Sequence, residues 1–376
     1  MKYFLIVGEA SGDLHGARLI QALKAVDKEA VFVAWGGDQM IEAGAKVLKH
    51  YRELAFMGFW EVLKNLPTIW RNFQLARQQI QDFQPDIVLL IDYPGFNLRM
   101  AKWAKLQDYQ VHYYISPQLW AWHSSRVKQL KAYVDHMMVI LPFEKAFYEK
   151  YDYPVDFVGH PLLDIIADFK TPADFRTRYQ LKHQPIIALL PGSRRQEIRI
   201  SLTIMLEAVR VFEDYQIVVA GAPAIPVEFY QDIIKDHPAK TSVRLVNNET
   251  YALLSEAHAA LVTSGTATLE TALFKVPQVV GYKGNALSYQ IAKRLIQVNY
   301  ISLVNLIVEQ EIVKELIQGE FTPNRIREEL APLLKGPHRQ QMLKAYERLP
   351  GQLGERGAAQ RAAHSILNYF NKTNKS

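Results

Sequence analysis

The amino-acid sequence predicts an α/β fold with two doubly wound parallel sheets arranged in tandem. Short apolar runs alternate with helical patterns along most of the chain. The runs are rich in Val, Ile and Leu without polar interruption, as in strands that helices cover on both faces. The chain has 376 residues, and at roughly 150 residues per domain this length favours two large domains.

The apolar runs form two series separated by a polar segment. A helical pattern over 14–25 directly follows the first run, which is the rhythm of a parallel sheet. The polar segment covers 168–185, so we place the domain boundary at residue 168. The tail is helical from residue 324 onward. The predicted strands are 3–7, 31–34, 87–91, 111–115, 137–140 and 155–158 in the first series, and 186–190, 217–220, 243–246, 259–263 and 278–282 in the second.

The charge is concentrated at the carboxy-terminal end. The net charge is +6, and residues 321–376 alone hold ten basic and four acidic side chains. Such a tail suits an anionic membrane surface or nucleic acid, and a solvated basic surface is the alternative. The absence of cysteine excludes disulfides and thiol catalysis and fits the cytoplasm. No window approaches 18 consecutive apolar residues, so we expect no membrane-spanning segment.

The loop after the first predicted strand is a candidate ligand site, because ligands of open α/β sheets bind beyond the carboxyl ends of the strands. Its glycines, beginning with Gly8 and Gly12, let a ligand approach the backbone at a helix start. Glu9, Ser11 and Asp13 add polar groups between and beside them. The alternative is a tight turn that Ser11 or Asp13 caps.

Asp92 is the strongest candidate for a general base. It directly follows the apolar run 87–91 and precedes Tyr93 and Pro94, so its carboxylate is predicted at the tip of a buried strand. Loss of water around a carboxylate raises its basicity, which helps it to accept a hydroxyl proton near neutral pH. A helix or turn cap in the loop through Asn97 is the alternative.

Two turns in the second half are suited to phosphate. In the first, Ser193 and Arg194 follow a strand and precede a helix, so that backbone N–H groups, a hydroxyl and a guanidinium lie together. The second repeats this arrangement. Either turn alone is explained by helix capping, but two in one domain favour a nucleotide-diphosphate site. The second turn contains Ser264, Gly265 and Thr266, followed by Glu270, which is able to accept hydrogen bonds from a ribose diol.

The sequence predicts no metal site and no cofactor. It contains neither His-Glu-x-x-His nor Asp-x-Asp, the pair that a metal-dependent sugar transferase usually needs. The Walker lysine pattern is also missing, which argues against nucleotide hydrolysis at a P-loop.

The segment 54–73 carries more apolar side chains than one helical stripe requires. A stripe through Phe59, Leu63, Leu66, Trp70 and Phe73 is predicted to pack on the sheet. Packing of the entire segment in the core is the alternative to a membrane surface. The side chains left over are predicted to be exposed and to contact lipid: Phe56, Met57, Trp60 and Ile69.

Several separated motifs, in order, resemble the lipid-A-disaccharide synthase family. The resemblance runs from the first strand to about Lys314, and the carboxy-terminal helices add little to it. The motifs that carry it are Gly8–Asp13, Met57-Gly58 with 61–63, 85–97, Ser116-Pro117 with 120–122, 141–147, 190–194, 264–266 with Glu270, and 292–295 with Asn305.

The resemblance implies a GT-B glycosyltransferase, with two Rossmann-like domains facing a cleft. Residues 1–168 would bind the acceptor and lipid, 169–349 would bind the UDP-sugar, and a helix within 350–376 would pack back on the first domain. The implied reaction joins UDP-2,3-diacylglucosamine to 2,3-diacylglucosamine 1-phosphate with inversion, giving a β-1,6-linked disaccharide and UDP. It also implies a peripheral location on the cytoplasmic face of the inner membrane, without nucleic acid. A homodimer that exchanges its carboxy-terminal helices remains open.

The resemblance also implies residue roles. Asp92 would take the proton from the acceptor 6-hydroxyl, and Glu9, Ser11 and Gly12 would line the cleft near the sugars. Three positions depart from the family pattern: Arg195 stands where glycine is frequent, Val304 replaces proline, and Gly95 replaces an acidic residue. The residues implied to hold UDP are Ser193, Arg194, Ser264, Gly265, Thr266, Glu270 and Asn305.

Two other functions are compatible with parts of the sequence. A UDP-sugar epimerase on the same scaffold would use the nucleotide turns, but it would leave the apolar side chains of 56–73 without a purpose. A non-enzymatic basic protein that binds membranes or nucleic acid would use the tail. It would leave Asp92 and the turn at Ser193 unexplained.

Overall fold

The computed structural model describes residues 1–54, 66–122, 126–235, 237, 243–284 and 299–373. The chain folds into two units, one formed by residues 1–161 with 353–376 and the other by 162–352. The sequence placed the corresponding boundaries at 168 and 349. Each unit contains one parallel sheet flanked by helices, so the predicted α/β class with two parallel-sheet domains is confirmed.

The first sheet has seven parallel strands in the order β3-β2-β1-β4-β5-β6-β7. All six strands predicted for this domain are present. The edge strand β3 was not predicted, because its polar and apolar residues give no continuous apolar run. The strands are β1 (Lys2–Ile6), β2 (Val31–Gly36), β3 (Lys46–His50), β4 (Ile87–Ile91), β5 (Gln110–Tyr114), β6 (His136–Val139) and β7 (Asp156–Phe157).

Both faces of this sheet are covered, as the uninterrupted apolar runs predicted. Phe4 and Ile6 of β1 belong to a core that includes side chains of the helices Leu66–Phe83 and Pro94–Lys105. Tyr3 and Leu5 point to the opposite face, because successive side chains of a strand alternate. The other helices among the described residues before 162 are Ala10–Val26, Asp38–Glu42, Leu119–Trp122, Val127–Tyr133 and Pro142–Glu149, with a 3₁₀ turn at Tyr51–Glu53.

The helix Ala358–Thr373 packs on the helix Ala10–Val26 and completes the second face of the first sheet. Ala362 and Ala363 are fully buried there, and their small side chains allow the helices to approach closely. Arg361 ties this helix to the domain, since its guanidinium donates to the carbonyl of Val158 at 2.8 Å and also to carbonyls of residues 355 and 356.

The second sheet has six parallel strands in the order β10-β9-β8-β11-β12-β13. The five predicted strands are present, and β13 adds an edge strand that was not predicted. The strands are β8 (Ile186–Leu190), β9 (Gln216–Gly221), β10 (Val243–Asn247), β11 (Ala257–Thr263), β12 (Gln278–Tyr282) and β13 (Lys314–Ile317). In the part of this domain that the structure describes, the helices are Leu162–Asp168, Phe175–Arg178, Arg195–Val209, Val227–Lys235, Thr250–Glu256, Thr266–Leu273, Leu303–Val308, Pro323–Leu334, Pro337–Tyr346 and Leu349–Gln352, with a 3₁₀ turn at Gln318–Glu320.

The strand order reverses beside the first strand of each sheet, between β1 and β4 and again between β8 and β11. Loops that leave adjacent strands at such a point diverge to opposite faces and open a crevice. The loop at Gly8 and the loop at Asp92 therefore meet at one switch point. The turns at Ser193 and Ser264 meet at the other.

Across the described ranges, none of the helices combines the length and the apolar character needed to cross a bilayer.

Candidate active site

The loops after β1 and β4 are in close contact at the switch point of the first sheet. A Cβ atom added at Gly8 would lie 2.2 Å from Cδ2 of Tyr93, so only glycine fits against this ring. Tyr93 also stacks on Phe96 with ring centroids 5.7 Å apart. The glycine that the sequence assigned to ligand approach thus also brings the loop after β1 against the loop that carries Asp92.

Asp92 has an uncommon backbone conformation that its neighbours hold in place. Asp92 and Tyr93 have φ angles of 46° and 51°, in the left-handed region that non-glycine residues rarely adopt. The amide of Asn97 donates to the carbonyl of Asp92 at 2.7 Å, and the hydroxyl of Tyr113 donates to the same carbonyl at 2.5 Å. Asn97 is completely buried and also reaches the carbonyls of Ile6 and Ile91, both at 3.3 Å. These bonds fix the direction in which the Asp92 side chain leaves the sheet.

The surroundings of Asp92 make its carboxylate more basic than usual. Burial, together with the negative charge of Glu9, raises the pKa of Asp92 to about 6, although a hydrogen bond from the Tyr93 N–H partly opposes the increase. A carboxylate with this pKa is ionised at neutral pH and accepts a proton more readily than an exposed aspartate. These are the properties of a general base.

The other residues predicted in the first loop have different positions. Glu9 is the exposed N-cap of the helix Ala10–Val26, and its side chain makes no capping hydrogen bond. Ser11 is exposed in the first turn, so neither Ser11 nor Asp13 is the cap that the alternative interpretation required. Gly12 is buried against Val7, where an added Cβ would lie 2.9 Å from the Val7 Cβ.

Asp13 has a structural role that the sequence did not indicate. Its buried carboxylate accepts hydrogen bonds from the backbone N–H groups of Gly37, Gln39 and Met40 at 2.7, 3.1 and 3.2 Å. These donors lie at the start of the helix Asp38–Glu42. Because its carboxylate oxygens are engaged in this way, Asp13 joins two helices and is a poor substitute for Asp92 as a base.

Glu144 is a buried carboxyl group near the switch point that the sequence analysis missed. It accepts from the N–H groups of Leu141 and Ile140 at 2.9 and 3.2 Å, at the start of the helix Pro142–Glu149. Burial raises the pKa of Glu144 to about 7, and the charge of Asp92 contributes to this increase. Pro at the first helical position and Glu at the third were visible in the sequence as a capping signal.

The first turn of the second domain presents an arginine at a helix start. Gly192 has a φ of 109°, and Ser193 and Arg194 are exposed. Arg194 is the N-cap of the 15-residue helix Arg195–Val209, whose first N–H groups carry a partial positive charge. In this conformation Glu197 accepts from the Ser193 N–H at 3.2 Å. Glu197 is the third helical residue, a spacing that could have identified it as a capping carboxylate.

Arg195, one of the departures from the family pattern, contacts an aromatic ring. Its guanidinium carbon lies 5.3 Å from the ring centroid of Phe229, and that of Arg199 lies at the same distance from this ring. Both guanidiniums therefore make cation–π contacts with the same ring, and these contacts stabilise them beside the turn. Arg194 has no such ring contact among the described residues.

The second turn begins the helix Thr266–Leu273. Gly265 and Thr266 are exposed, whereas the half-buried Ser264 donates its hydroxyl to the carbonyl of Ile301 at 2.7 Å. Ser264 therefore retains only acceptor capacity for a ligand. Glu270 lies one turn further on, where burial raises its pKa and the hydroxyl of Tyr251 donates to its Oε1 at 2.9 Å.

Asn305, which was expected to contact UDP, is fully buried and its amide is saturated. Its Nδ2 donates to the carbonyl of Val313 and to Glu315, both at 2.8 Å. Its Oδ1 accepts from the N–H groups of Ile312 and Val313 at 2.7 and 3.0 Å. An amide has two donors and two acceptor positions, so no capacity remains for a nucleotide. We correct the expectation: Asn305 shapes the segment that receives the Ser264 hydroxyl.

The predicted lipid-contact residues are only partly covered by the structure. Phe56, Met57 and Trp60 lie outside the described residues, and Ile69 is half-buried. Trp70, which was assigned to the core stripe, is 63% exposed, so that assignment is wrong. The buried face of the helix Leu66–Phe83 instead includes Ala76 and Ile80 and passes through Ile69.

The described ranges contain no group of three or more His, Asp or Glu side chains arranged to hold a metal ion. With Asp92 at one switch point, and Arg194 and two helix starts at the other, the fold and these side chains define the class. The protein has two α/β domains, each with one parallel sheet, in the fold that solved glycosyltransferases and epimerases share.

Comparison with known proteins gives the family. The family model described as lipid-A-disaccharide synthetase matches residues 3–368. A lipid-A-disaccharide synthase of Syntrophus aciditrophicus is 39% identical over 374 residues, covering 98% of each chain. The chain therefore belongs to the lipid-A-disaccharide synthase family, as its motifs indicated.

Solved structures share the fold at low sequence identity. The glycosyltransferase of kitacinnamycin has a TM-score of 0.65 at 14% identity, covering 98% of this chain and 99% of its own. A UDP-GlcNAc 2-epimerase from Neisseria meningitidis, solved with UDP-GlcNAc, has a TM-score of 0.63 at 14% identity, covering 99% and 100%. Transferases and epimerases thus share this architecture, and the family match distinguishes between them in favour of a transferase.

Proposed function

We propose that this enzyme joins UDP-2,3-diacylglucosamine to 2,3-diacylglucosamine 1-phosphate, giving the β-1,6-linked disaccharide 1-phosphate and UDP. The acceptor 6-oxygen forms a bond to the anomeric carbon of the donor while the bond from that carbon to the UDP oxygen breaks. The proton of the 6-hydroxyl leaves on a base, and the electron pair leaves on UDP. One displacement inverts the anomeric centre, so one base is sufficient.

Asp92 is that base, and its position carries this proposal. Its raised pKa provides an ionised but basic carboxylate, and the bonds from Asn97 and Tyr113 hold its backbone during the reaction. Glu9 increases the basicity of Asp92 and, with Ser11, lies at the same helix start, where both reach the sugars. Gly12 keeps this helix start packed on Val7.

UDP binds at the two turns of the second domain. Arg194, the hydroxyl of Ser193 and the backbone N–H groups of the exposed residues Gly265 and Thr266 offset the negative charge that develops on the leaving diphosphate. Glu270 accepts hydrogen bonds from the ribose hydroxyls. The helix dipoles and the guanidinium replace the divalent ion that many sugar transferases use.

The enzyme contacts the membrane in which its acylated substrates reside. Trp70 supports this proposal because a large aromatic side chain is 63% exposed beside Arg71, a pairing suited to the lipid interface and its anionic headgroups. Burial of such a side chain in lipid contributes about 1.5–3 kcal/mol, enough for reversible docking. The basic tail adds attraction to the cytoplasmic face of the inner membrane.

Vesicle binding tests this contact with a matched control. Trp70→Ser should bind vesicles of anionic phospholipid roughly 10- to 100-fold more weakly than the unchanged protein. Leu106→Ser removes an apolar side chain that is also 63% exposed, at the end of the helix Pro94–Lys105, and should leave binding unchanged. Equal losses in both variants would contradict a specific docking face at Trp70.

The reaction itself is tested by incubating the enzyme with the two acylated glucosamine substrates and detecting products by mass spectrometry. The proposal requires the tetraacyl disaccharide 1-phosphate and UDP in equal amounts. Formation of a UDP-sugar isomer without disaccharide would indicate the epimerase instead.

A further inference from the structure

Glu270 has a protein partner on one of its two carboxylate oxygens. The hydroxyl of Tyr251 donates to Oε1 at 2.9 Å. Tyr251 lies in the helix Thr250–Glu256, which precedes β11, and Glu270 lies in the helix that follows β11. The bond therefore links the two helices on either side of the central strand at the second switch point.

An aromatic cluster holds the Tyr251 ring in place. Its centroid lies 5.7 Å from that of Phe169 in an edge-to-face arrangement and 5.4 Å from that of Phe274. Phe169 and Phe274 contact each other edge to face at 5.8 Å. Three mutually packed rings leave the tyrosine little freedom to rotate, so the position of its hydroxyl is fixed by packing that does not involve Glu270.

A bond to one oxygen sets the plane of the whole carboxylate. An ionised carboxylate has about four acceptor positions on its two oxygens, and Tyr251 occupies one of them. The second oxygen is then held in a defined direction and keeps its acceptor capacity. Burial disfavours the ionised form of Glu270 and raises its pKa, whereas the tyrosine bond favours ionisation.

We propose that Tyr251 is a positioning residue that orients Glu270 toward the ribose diol of UDP and so determines selectivity for ribose over deoxyribose. This inference rests on the proposed role of Glu270 as the ribose acceptor. An acceptor that is half-buried, as Glu270 is, and held in place discriminates against a ligand without the hydroxyls, because the acceptor is then left unpaired. A freely rotating carboxylate finds another partner and discriminates less.

The experiment compares the dissociation constants of UDP and 2′,3′-dideoxy-UDP by calorimetry. The selectivity ratio is the dissociation constant of 2′,3′-dideoxy-UDP divided by that of UDP. Taking this ratio cancels the contribution of the diphosphate turns, which bind both ligands equally. Tyr251→Phe retains the ring cluster and removes only the hydroxyl. We expect it to lower the ratio about three- to tenfold, mainly through weaker UDP binding, which is the scale of one hydrogen bond.

Tyr179→Phe is the matched control. The hydroxyl of Tyr179 donates to Oε1 of Glu249 at 3.0 Å, so this substitution removes the same kind of bond in the same domain. It should leave the ratio unchanged. An equal decrease in both variants would indicate a general loss of order and would overturn the inference.

Glu270→Ala separates the inference from the proposed function. If this variant keeps the wild-type ratio, Glu270 does not read the ribose and the proposed function fails at that point. If it lowers the ratio while Tyr251→Phe does not, the role of Tyr251 alone is overturned. Should Tyr251→Phe be unfolded, Phe169→Leu loosens the ring cluster and retains the hydroxyl. An unchanged ratio in that variant would equally overturn the inference.

Discussion

The two switch points have the same strand order but different chemistry. At the end of the first sheet, Glu9 and Asp92 gather negative charge in a partly buried environment, and burial raises the pKa of Asp92. At the end of the second sheet, Arg194 and the starts of two helices gather positive charge. The shared fold therefore opens a crevice at the same point of each sheet, and the side chains give one crevice a basic carboxylate and the other an arginine.

The largest effect that this comparison predicts comes from replacing Asp92, the proposed base. Asp92→Asn should lower kcat roughly 10²- to 10⁴-fold, the usual range for a lost general base. The amide keeps the size of the side chain, so substrate binding should change little. Turnover of the disaccharide product measures the effect.

The second domain provides the control for this variant. Because Asp92 belongs to the first switch point, UDP affinity measured by calorimetry should remain close to wild type in Asp92→Asn. Near wild-type turnover would move the base to another residue, with Glu144 the buried carboxyl group to test next.

A substitution at the second switch point should affect only the proposed binding of UDP. Arg194→Ala should weaken UDP binding by about 1.5–3 kcal/mol, the contribution of a hydrogen bond to a charged group. The pH dependence of the remaining activity should keep its acidic limb, since that limb belongs to Asp92. Arg199→Ala removes a neighbouring guanidinium that packs on Phe229 and should weaken UDP binding far less. Equal losses would mean that the turn responds to net charge rather than to Arg194.

Asp92→Asn should make the protein more stable although it lowers the activity. Because folding raises the pKa of Asp92 from 3.8 to about 6, the folded state binds this proton more tightly than the unfolded chain. The free energy of unfolding therefore falls as the pH rises from 3.8 to about 6. Above this interval the ionised Asp92 lowers the stability by its full amount. Asp92→Asn removes the penalty and should gain about 1–2 kcal/mol at pH 8, reduced from the full shift because water partly screens the carboxylate.

Urea unfolding at two pH values checks this expectation. The gain should fall to a small remainder near pH 4, where wild-type Asp92 is largely protonated in the folded state, and vanish at pH values below the unfolded pKa of 3.8. Asp13→Asn is the opposite control, because its carboxylate accepts three backbone N–H groups and its loss should destabilise the domain. A stability loss in Asp92→Asn at pH 8 would show that the carboxylate is structural.

The smallest expected effect concerns the interaction of the two acids. Glu9→Gln removes the smaller of the two causes that raise the pKa of Asp92, so the acidic limb of the kcat profile should move to lower pH. Ser11→Ala, also exposed at this helix start but uncharged, should not move it. A shift toward higher pH in Glu9→Gln would contradict the coupling.

The sequence was sufficient to place Asp92 but not to explain its basicity. Five apolar residues followed by an aspartate predict a carboxylate at a strand tip, and the structure has that arrangement. The effect of Glu9, however, depends on which strands are neighbours. Glu9 and Asp92 are 83 residues apart in the sequence, and the pairing of β1 with β4 brings their loops together. Local sequence contains no information on this pairing.

Two further assignments could not be made correctly from the sequence. One depended on which face of a helix is buried, and the other on whether a polar side chain already has all its hydrogen-bond partners. Counting back from Phe73, both Trp70 and Ile69 satisfy helical spacing, and the larger residue was assigned to the core although the structure exposes it. Asn305 was assigned to UDP because a polar residue in a family motif suggests a ligand. Its partners Val313 and Glu315 lie in and beside β13, an edge strand that the sequence did not reveal.

The return of the helix Ala358–Thr373 to the first domain affects how this protein folds during synthesis. On the ribosome, residues 162–352 emerge as one continuous segment and can complete their own sheet. The first domain is synthesised earlier, but its core is incomplete until Ala362 and Ile366 cover the face formed by Tyr3 and Leu5. The first domain therefore finishes folding after the second, and it exposes an apolar face until the helix Ala358–Thr373 has been synthesised, the interval in which chaperones are most needed.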